Sequence, residues 1–510
     1  MYTIHLKNAI IKGDKEKCHM KQKSLFKNTI YKAILSLVNL VVPLIIGPYI
    51  VRVLDVELYG MYNKVFSEFQ IFLTFASFGI YTFGVREISK IRDDKEKVSK
   101  LFSNLCLLSL ITNGLVMIIY ILYSMFSSSG LTTTIYLIMT IQIVGNIFYI
   151  EFVNEALENY KFITIKSAII KILYLVALLL FVKKPDDIII YSTIICMTVF
   201  LNNIVSFIYA KKRIKFDFSD IKFKKYLKAM AFILVIENAD MLYSQLDRVM
   251  LGRLVSDVSV TNYYISYYLV ATVMSIPYAI INVSIPRLTY VIKNEGKKAY
   301  ENLLKKSFSS LLFIIVPCCF GMFVLSQEII LLYAGDKYAY IYPILMVAAI
   351  VRIIISIQSV FTNLVLYPNN EEKQILKFCV TFGIINVLFN IVLVALKIFT
   401  PFSAMLTTGI AILLFVIAQY RYTKNKLQIN LKIFEGSNKL YMLLSVLFIP
   451  MSLLIRLLDL PFVVNIIVTM IVCASFYVGV LYIRKDENLL LILDKVFGKL
   501  KRLVRSKNNG

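Results

Sequence analysis

The chain has 510 residues, 59% of them hydrophobic, and its mean hydropathy is +0.74. Soluble domains average about 45–50% apolar residues, so this composition excludes an ordinary soluble protein. The formal net charge of +25 would suit a nucleic-acid-binding protein, but no aromatic and basic reading motif accompanies the charge, and we exclude nucleic acid as a partner.

Long apolar runs recur along the chain, separated by short polar gaps. Most are about 18–25 residues long, the length that crosses a bilayer core of about 30 Å as a helix. They predict an all-α integral membrane protein with about fourteen transmembrane helices. The predicted spans are 28–50, 59–84, 101–125, 131–157, 164–182, 188–210, 226–250, 262–291, 306–326, 340–366, 375–396, 402–420, 440–457 and 462–483.

The basic residues are concentrated in alternate gaps. Of the 56 Lys and Arg residues, 40 lie in eight gaps, and the seven opposite gaps hold few. The eight basic gaps are 1–27, 86–100, 158–163, 211–225, 292–306, 367–375, 421–439 and 484–510. By the positive-inside rule these gaps face the cytoplasm, which places both termini inside. Attraction to anionic lipids is a secondary effect of the same charge.

The polar gaps contain no sign of catalytic or metal chemistry. The first 24 residues are basic without a short apolar core, so no signal peptide is expected, and translation starts at either Met1 or Met20. No phosphate-binding Gly-rich motif ending in Gly-Lys-Ser/Thr occurs. The seven Cys show no ligand spacing, and both His5 and His19 lie in the N-terminal tail. We expect neither an enzyme nor a metal site, and no cofactor apart from a coupling H⁺ or Na⁺.

Two segments are weakly alike. Residues 52–63 follow the first span and residues 252–264 follow the seventh, and both lead into the next span through aromatic residues and Asn. Six spans separate them, which predicts parallel six-helix repeats. The expected organisation is a tail (1–27), a lobe (28–210), a basic linker (211–225), a second lobe (226–420), an added helix pair (440–483) and a basic tail (484–510).

Charged residues inside the spans are the candidates for the transport path. A charge at the bilayer centre costs roughly 2.5–3.5 kcal/mol, so such side chains should face protein or water. The candidates are Lys64, Glu68, Glu151, Glu155, Lys171, Glu237, Asp240, Asp247, Arg248, Arg287 and Arg352. Those on span 7, from Glu237 to Arg248, fall within about a third of the helix circumference. With no ATP site, a polar interior favours a secondary transporter.

Structural alternatives remain open for several candidates. Lys64 and Glu68 have the i,i+4 spacing of an internal ion pair. The alternative for Asp247 and Arg248 is a position at the outer membrane interface. Arg287 is close enough to the membrane surface for its side chain to snorkel. Arg352 lies near mid-membrane, where it either neutralises an acid or contacts an anionic substrate group, since its planar fork suits phosphate.

Several segments, in this order, resemble the Wzx-type oligosaccharide flippases, the polysaccharide branch of the multidrug/oligosaccharidyl-lipid/polysaccharide exporter superfamily. The resemblance covers about residues 24–480. It departs at Asp55, where the family often has Gly, and at Ala156-Leu157, where an aromatic-Gly pair is common. The segments that carry it are 47–54, 59–60, 84–88, 92–94, 158–163 with Lys171, 247–252, 263–264 and 286–287.

The resemblance implies two six-helix lobes around a central cavity in a bacterial plasma (inner) membrane. It implies flipping of undecaprenyl-pyrophosphate-linked oligosaccharides to the outer leaflet for capsule, O-antigen or exopolysaccharide assembly, beside a polymerase and glycosyltransferases. Cations such as Arg352 would bind the pyrophosphate, and Asn146, Asn282, Tyr263 and Tyr267 are candidates for sugar contacts. The alternatives are a lipid-linked peptidoglycan precursor flippase, a drug/cation antiporter of the same superfamily, and a non-transporting scaffold or polymerase.

Overall fold

The protein is built from helices that are long and apolar enough to span a membrane. The computed structural model describes residues 31, 34–39, 41–221, 223–237 and 241–494. Within them, twelve helical stretches have the length and composition of membrane spans. The all-α membrane fold predicted from the sequence is confirmed. The span predicted at 226–250 crosses residues 238–240, which lie outside the described residues, whereas the span predicted at 262–291 lies within one continuous helix, Asp257–Asn294. Neither is among the twelve, and both stay predictions as membrane spans.

The chain divides into two compact units, residues 1–238 and residues 239–510. The lobe boundaries predicted from the sequence, 28–210 and 226–420, stay a prediction. The first unit contains α1 (Ile34–Val53), α2 (Val56–Ser77), α3 (Ile80–Ile91), α4 (Lys95–Ser127), α5 (Gly130–Ile147), α6 (Glu151–Ala156), α7 (Tyr160–Phe181), α8 (Ile188–Lys211) and α9 (Phe223–Glu237).

The second unit continues the helix order. It contains α10 (Met241–Leu254), α11 (Asp257–Asn294), α12 (Lys297–Val324), α13 (Ser326–Ala334), a 3₁₀ turn (Asp336–Ile341), α14 (Tyr342–Val360), a π-helical turn (Phe361–Leu366), α15 (Glu372–Ala395), α16 (Pro401–Asn425), α17 (Ser437–Val446), α18 (Phe448–Arg456) and α19 (Phe462–Ile483). The last helices pack on the rest of this unit: Arg456 pairs with Glu328 at 2.9 Å, and the Tyr477 hydroxyl donates to the Phe313 carbonyl.

Side chains fix several helix starts. Asp55 accepts hydrogen bonds from the backbone N–H groups of Glu57 and Leu58 and so caps α2. Asp94 caps α4 in the same way, and the side chain and backbone N–H of Lys97 hold the pKa of Asp94 below its usual value. Asp55 therefore has a capping role at the position where the resembling family often has Gly.

Three predicted spans are not continuous helices. Span 59–84 breaks at Phe78–Gly79, span 131–157 breaks between Ile147 and Glu151, and span 440–457 divides into α17 and α18. At the first break both residues are in the left-handed region, with φ of 45° and 68°. A Cβ on Gly79 would lie 2.8 Å from the Met230 carbonyl oxygen of α9, so this turn requires glycine.

The half-helices α3 and α6 pack closely through a glycine. A Cβ on Gly84 would lie 2.4 Å from Cδ2 of Phe152, a ring that is 1% exposed. We expect Gly84→Ala to destabilise the first unit by about 1–3 kcal/mol, because a fully buried ring has to move. Thermal unfolding in detergent measures the change. Gly114→Ala on α4 is the matched control, because nothing lies within 4 Å of its Cβ. Equal thermal stability of the two variants would contradict this packing.

Candidate functional site

The two helix breaks of the first unit are joined by a buried polar network. The Ala76 carbonyl, at the end of α2, accepts hydrogen bonds from Thr112 Oγ1 (2.8 Å) and Asn113 Nδ2 (3.2 Å) on α4. The Asn146 amide on α5 donates to Asn113 Oδ1 (2.9 Å) and to Ser77 Oγ (3.2 Å). Backbone groups freed by a break must find partners inside a membrane, and these amides provide them.

The second break is secured from α8. Asn203 Nδ2 donates to the Gly145 carbonyl at 3.1 Å, at the end of α5. Asn113, Asn146 and Asn203 are all buried. Asn146, which only the family resemblance suggested for sugar contacts, is thus engaged in holding the helix breaks. Discontinuous helices are typical of the substrate and ion sites of secondary transporters.

A buried ion pair lies beside the second break. Glu151, the first residue of α6, accepts from the Lys166 ammonium at 3.0 Å, and their side chains are 10% and 3% exposed. Ser206 Oγ on α8 contacts both partners, 2.5 Å from Lys166 Nζ. Glu151 Oε1 has no hydrogen-bond partner among the described residues. The pair therefore joins α6, α7 and α8 through one charged contact.

The other predicted acids of this unit bind tyrosines. Glu68 is 2% exposed and accepts from the hydroxyls of Tyr123 (2.7 Å) and Tyr136. Glu155 is hydrogen-bonded to Tyr81. The ion pair between Glu68 and Lys64, offered by their spacing, stays a prediction. Lys64 is half-buried.

Lys171 does not join the buried pair. Its ammonium donates to Asn39 Oδ1 of α1 at 2.5 Å; Lys171 is half-buried and Asn39 is exposed. Sequence reasoning selects Lys171 on span 5 and misses Lys166. Lys166 is two residues inside the predicted span start at 164, where a charge is ordinary because the span boundary is close. The signal that could have found Lys166 is the presence of two Lys residues, five positions apart, in one apolar helix.

A single carboxylate is buried where four helices of the second unit meet. Asp247 on α10 is 0% exposed. Its Oδ1 accepts from Asn386 Nδ2 (2.8 Å) and Asn390 Nδ2 (2.6 Å) of α15, and its Oδ2 accepts from the hydroxyls of Tyr263 on α11 (3.0 Å) and Thr408 on α16. All four donors are neutral, and no cationic side chain of the described residues pairs with this carboxylate.

The surroundings of Asp247 are rich in oxygen. Asn390 Oδ1 accepts from Thr407 Oγ1 at 2.7 Å, and Asn386 Oδ1 is buried without a partner among the described residues. The sequence points to Asp247 but not to Asn386, Asn390 and Thr408. The i,i+4 spacing of the two Asn in an otherwise apolar span is the signal that could have found them. Tyr263, suggested for sugar contacts, has its hydroxyl directed to Asp247.

The remaining predicted site residues are dispersed. Arg248 is 6% exposed, and its guanidinium lies 5.5 Å from the Tyr264 ring centroid. The interfacial alternative for Asp247 and Arg248 concerns their depth in the membrane and stays open. Arg287 is exposed. Glu237 ends α9, with a side chain outside the described residues, and Asp240 lies outside them altogether.

Arg352 is a cation near the middle of its helix. It lies on α14, ten residues after Tyr342 and eight before Val360, or about 15 Å from the start of the helix. Its guanidinium carbon is 4.6 Å from the centroid of the Tyr278 ring. Arg352 Nε and the Tyr278 hydroxyl are both buried without a hydrogen-bond partner among the described residues. No acid in that part of the chain pairs with Arg352.

Residues 25–292, more than half of the chain, match the family described as polysaccharide biosynthesis protein. The chain belongs to this family. Over 380 residues the chain is 23% identical to a candidate O-antigen transporter of Escherichia coli (strain K12), covering 72% of the present chain and 89% of the relative. The Wzx-type membership inferred from its motifs is confirmed.

Solved structures share the fold. The lipid II flippase MurJ in an inward closed conformation superposes with a TM-score of 0.66 at 16% identity, covering 90% of this chain and 99% of its own. A MATE transporter of Vibrio cholerae gives a TM-score of 0.53 at 12% identity, covering 80% and 97%. At these identities the likeness establishes the fold alone. With its twelve candidate spans and its family membership, the protein is a multi-pass membrane protein of a transporter family.

Proposed function

We propose that the protein flips undecaprenyl-pyrophosphate-linked oligosaccharide units from the cytoplasmic to the outer leaflet of a bacterial inner membrane. The units would be made by glycosyltransferases and passed to a polymerase for capsule, O-antigen or exopolysaccharide assembly. Family membership and the relative described as a candidate O-antigen transporter support this substrate class. The basic loops would face the cytoplasm, with both termini inside.

The observation that carries the proposal is Arg352. No acid among the described residues pairs with Arg352, and a charge at mid-membrane is expensive without a partner, so this position favours an anionic ligand or water. The planar guanidinium can donate two parallel hydrogen bonds to a phosphate, and stacking on Tyr278 holds that plane in a fixed orientation. A drug/cation antiporter would need acids rather than a cation that no described acid neutralises. The pyrophosphate of a lipid-linked oligosaccharide fits the site.

Substitution of Arg352 tests the proposal. We expect Arg352→Ala to reduce surface polysaccharide about 10- to 100-fold in a host lacking its own flippase, since a charge-assisted hydrogen bond contributes about 1.5–3 kcal/mol. Arg352→Lys should retain part of the export, because it keeps the charge and loses the fork. Surface polysaccharide and inner-leaflet lipid-linked intermediate are measured at equal protein level.

Arg421→Ala removes an exposed Arg near the end of α16 and is the matched control. Export by Arg352→Ala at the level of this control would contradict a phosphate role. The wild-type chain is also expressed in a host depleted of its peptidoglycan precursor flippase. Rescue there, together with no export of surface polysaccharide, would establish the peptidoglycan alternative instead.

We further propose that export is coupled to an H⁺ or Na⁺ gradient through Asp247. Its carboxylate is a buried negative charge surrounded by neutral groups, and a cation would compensate it. Rotating either Asn386 or Asn390 about its terminal bond would present an amide oxygen, the ligand type that hard cations prefer. Four helices share this contact, so occupancy would alter how α10 packs on α15 and α16.

A further inference from the structure

A groove of about 800 Å³ runs between α7 and α8 of the first unit. The α7–α8 groove is lined along its length by apolar side chains of both helices. These include Ile165, Ile169 and Leu173 of α7 and Leu201 and Val205 of α8. Ile169, Leu173 and Leu201 are 54%, 59% and 45% exposed, so in a membrane this surface lies against lipid.

One end of the groove is cationic. Lys161 and Arg213 lie at this end, beside Asn159 and Glu158. Glu158, the one acid among the described residues that line the groove, is already neutralised, because it accepts from Arg92 at 2.7 Å. Lys161 is exposed and has no partner in the part of the chain that the structure describes. Two positive charges therefore remain at the groove end that adjoins the basic segment 211–215.

Arg213 is held in place by aromatic stacking. Its guanidinium carbon lies 3.9 Å from the centroid of the Tyr209 ring, and that ring stacks on Phe162 at 3.5 Å. Arg213 also donates to Asn159 Oδ1 at 3.5 Å. This arrangement keeps the guanidinium at the groove end, and a guanidinium stacked on a ring retains N–H donors for an anion.

The dimensions of the groove match one leaflet. From Lys161 to Leu173 on α7, and from Arg213 back to Leu201 on α8, the chain advances twelve residues, or about 18 Å of helix. Half of a bilayer core is about 15 Å thick. With the headgroup at the cationic end, an acyl chain would lie along the apolar part of the groove and would end near mid-membrane. Lys166, also at the groove wall, is engaged by Glu151 and Ser206.

We propose that the α7–α8 groove is a binding site for an anionic glycerophospholipid of the leaflet that adjoins the basic loops. The phosphate binds Lys161 and Arg213, and one acyl chain occupies the groove between α7 and α8. This lipid is distinct from the transported substrate and covers the outer side of the helices that hold the Glu151–Lys166 pair. The long apolar lining of the groove and the two cations at its end together favour a lipid over a soluble anion.

Native mass spectrometry of the full chain in detergent tests the site. Phosphatidylglycerol is titrated against phosphatidylethanolamine with the same acyl chains, and soluble glycerol 3-phosphate is the headgroup without chains. We expect one phosphatidylglycerol to bind preferentially. Lys161→Gln/Arg213→Gln should weaken its binding about thirtyfold, since each cation near the surface contributes about a factor of five to six. Glycerol 3-phosphate should not compete.

Lys212→Gln/Lys215→Gln is the charge-matched control, because both residues are exposed in the same basic segment and neither lines the groove. It should change binding by less than about threefold. Val205→Trp, which fills the groove, should abolish binding with both cations present, whereas Ile172→Trp on the exposed face of α7 should not. Equal losses in the two charge variants, or equal affinity for the two lipids, would overturn the proposal. Effective competition by glycerol 3-phosphate would also overturn it and assign the cations to a soluble anion.

Discussion

Asp247→Asn is expected to abolish polysaccharide export while raising the thermal stability of the purified protein. The substitution removes a buried charge that no described cation compensates, and the new amide can still bond with Asn386, Asn390, Tyr263 and Thr408. Buried functional charges commonly reduce stability in this way. Export is measured as surface polysaccharide at matched expression, and stability as the unfolding midpoint in detergent.

The coupling ion is identified by its effect on unfolding. If Na⁺ binds at Asp247, NaCl should raise the midpoint of the wild type more than choline chloride does, and Asp247→Asn should lose that difference. If the ion is a proton, the midpoint should depend on pH and not on Na⁺, and the same variant should lose the pH dependence. Asp336→Asn, at an acid of the 3₁₀ turn, is the control. Full export by Asp247→Asn would contradict the coupling role.

Lys166→Met is expected to destabilise the protein by about 3–5 kcal/mol. The substitution leaves the Glu151 carboxylate buried with Ser206 as its only described hydrogen-bond partner. Unfolding is measured in detergent with increasing denaturant. Lys171→Met, five residues further along α7, removes a half-buried Lys that forms no ion pair among the described residues, and should change stability by less than about 1 kcal/mol.

A double substitution separates charge from packing at this pair. Lys166→Met/Glu151→Gln removes both charges, so we expect it to recover most of the stability lost in Lys166→Met. If the double variant regains stability but exports no polysaccharide, the ion pair has a role in transport as well as in folding. A Lys166→Met protein as stable as Lys171→Met would show that Glu151 finds another compensating group.

The membrane spans are predictable from the sequence because their signal is local. Apolar runs and the distribution of Lys and Arg are read from neighbouring residues. The helix breaks are not predictable in this way, because the residues at the breaks, Phe78-Gly79 and 148–150, are themselves apolar and belong to longer apolar runs. What allows these breaks is distant in the chain: Asn113 and Asn203 come from other helices and bond the carbonyls at Ala76 and Gly145.

The same distinction applies to the candidate sites. A charged residue in an apolar span is conspicuous, so the sequence points to Asp247, Glu151 and Arg352. Their environments depend on which helices pack together. Asp247 is surrounded by neutral donors because α11, α15 and α16 pack against α10. Glu151 is paired because α7 places Lys166 beside it. Neutral Asn and Thr residues are common in membrane helices, so their spacing alone does not identify an ion site.

The polar network at the first helix break imposes an order on membrane insertion. The carbonyl of Ala76 receives its side-chain partners from Thr112 and Asn113, which are synthesised 36 and 37 residues later. The second span thus enters the translocation machinery with its break incompletely bonded, and only arrival of the third span completes it. We therefore expect a ribosome-bound chain that has exposed the second span, but still holds residues 112 and 113 in the ribosomal tunnel, to keep that span beside the machinery. A longer chain that exposes all of α4 should release it to lipid.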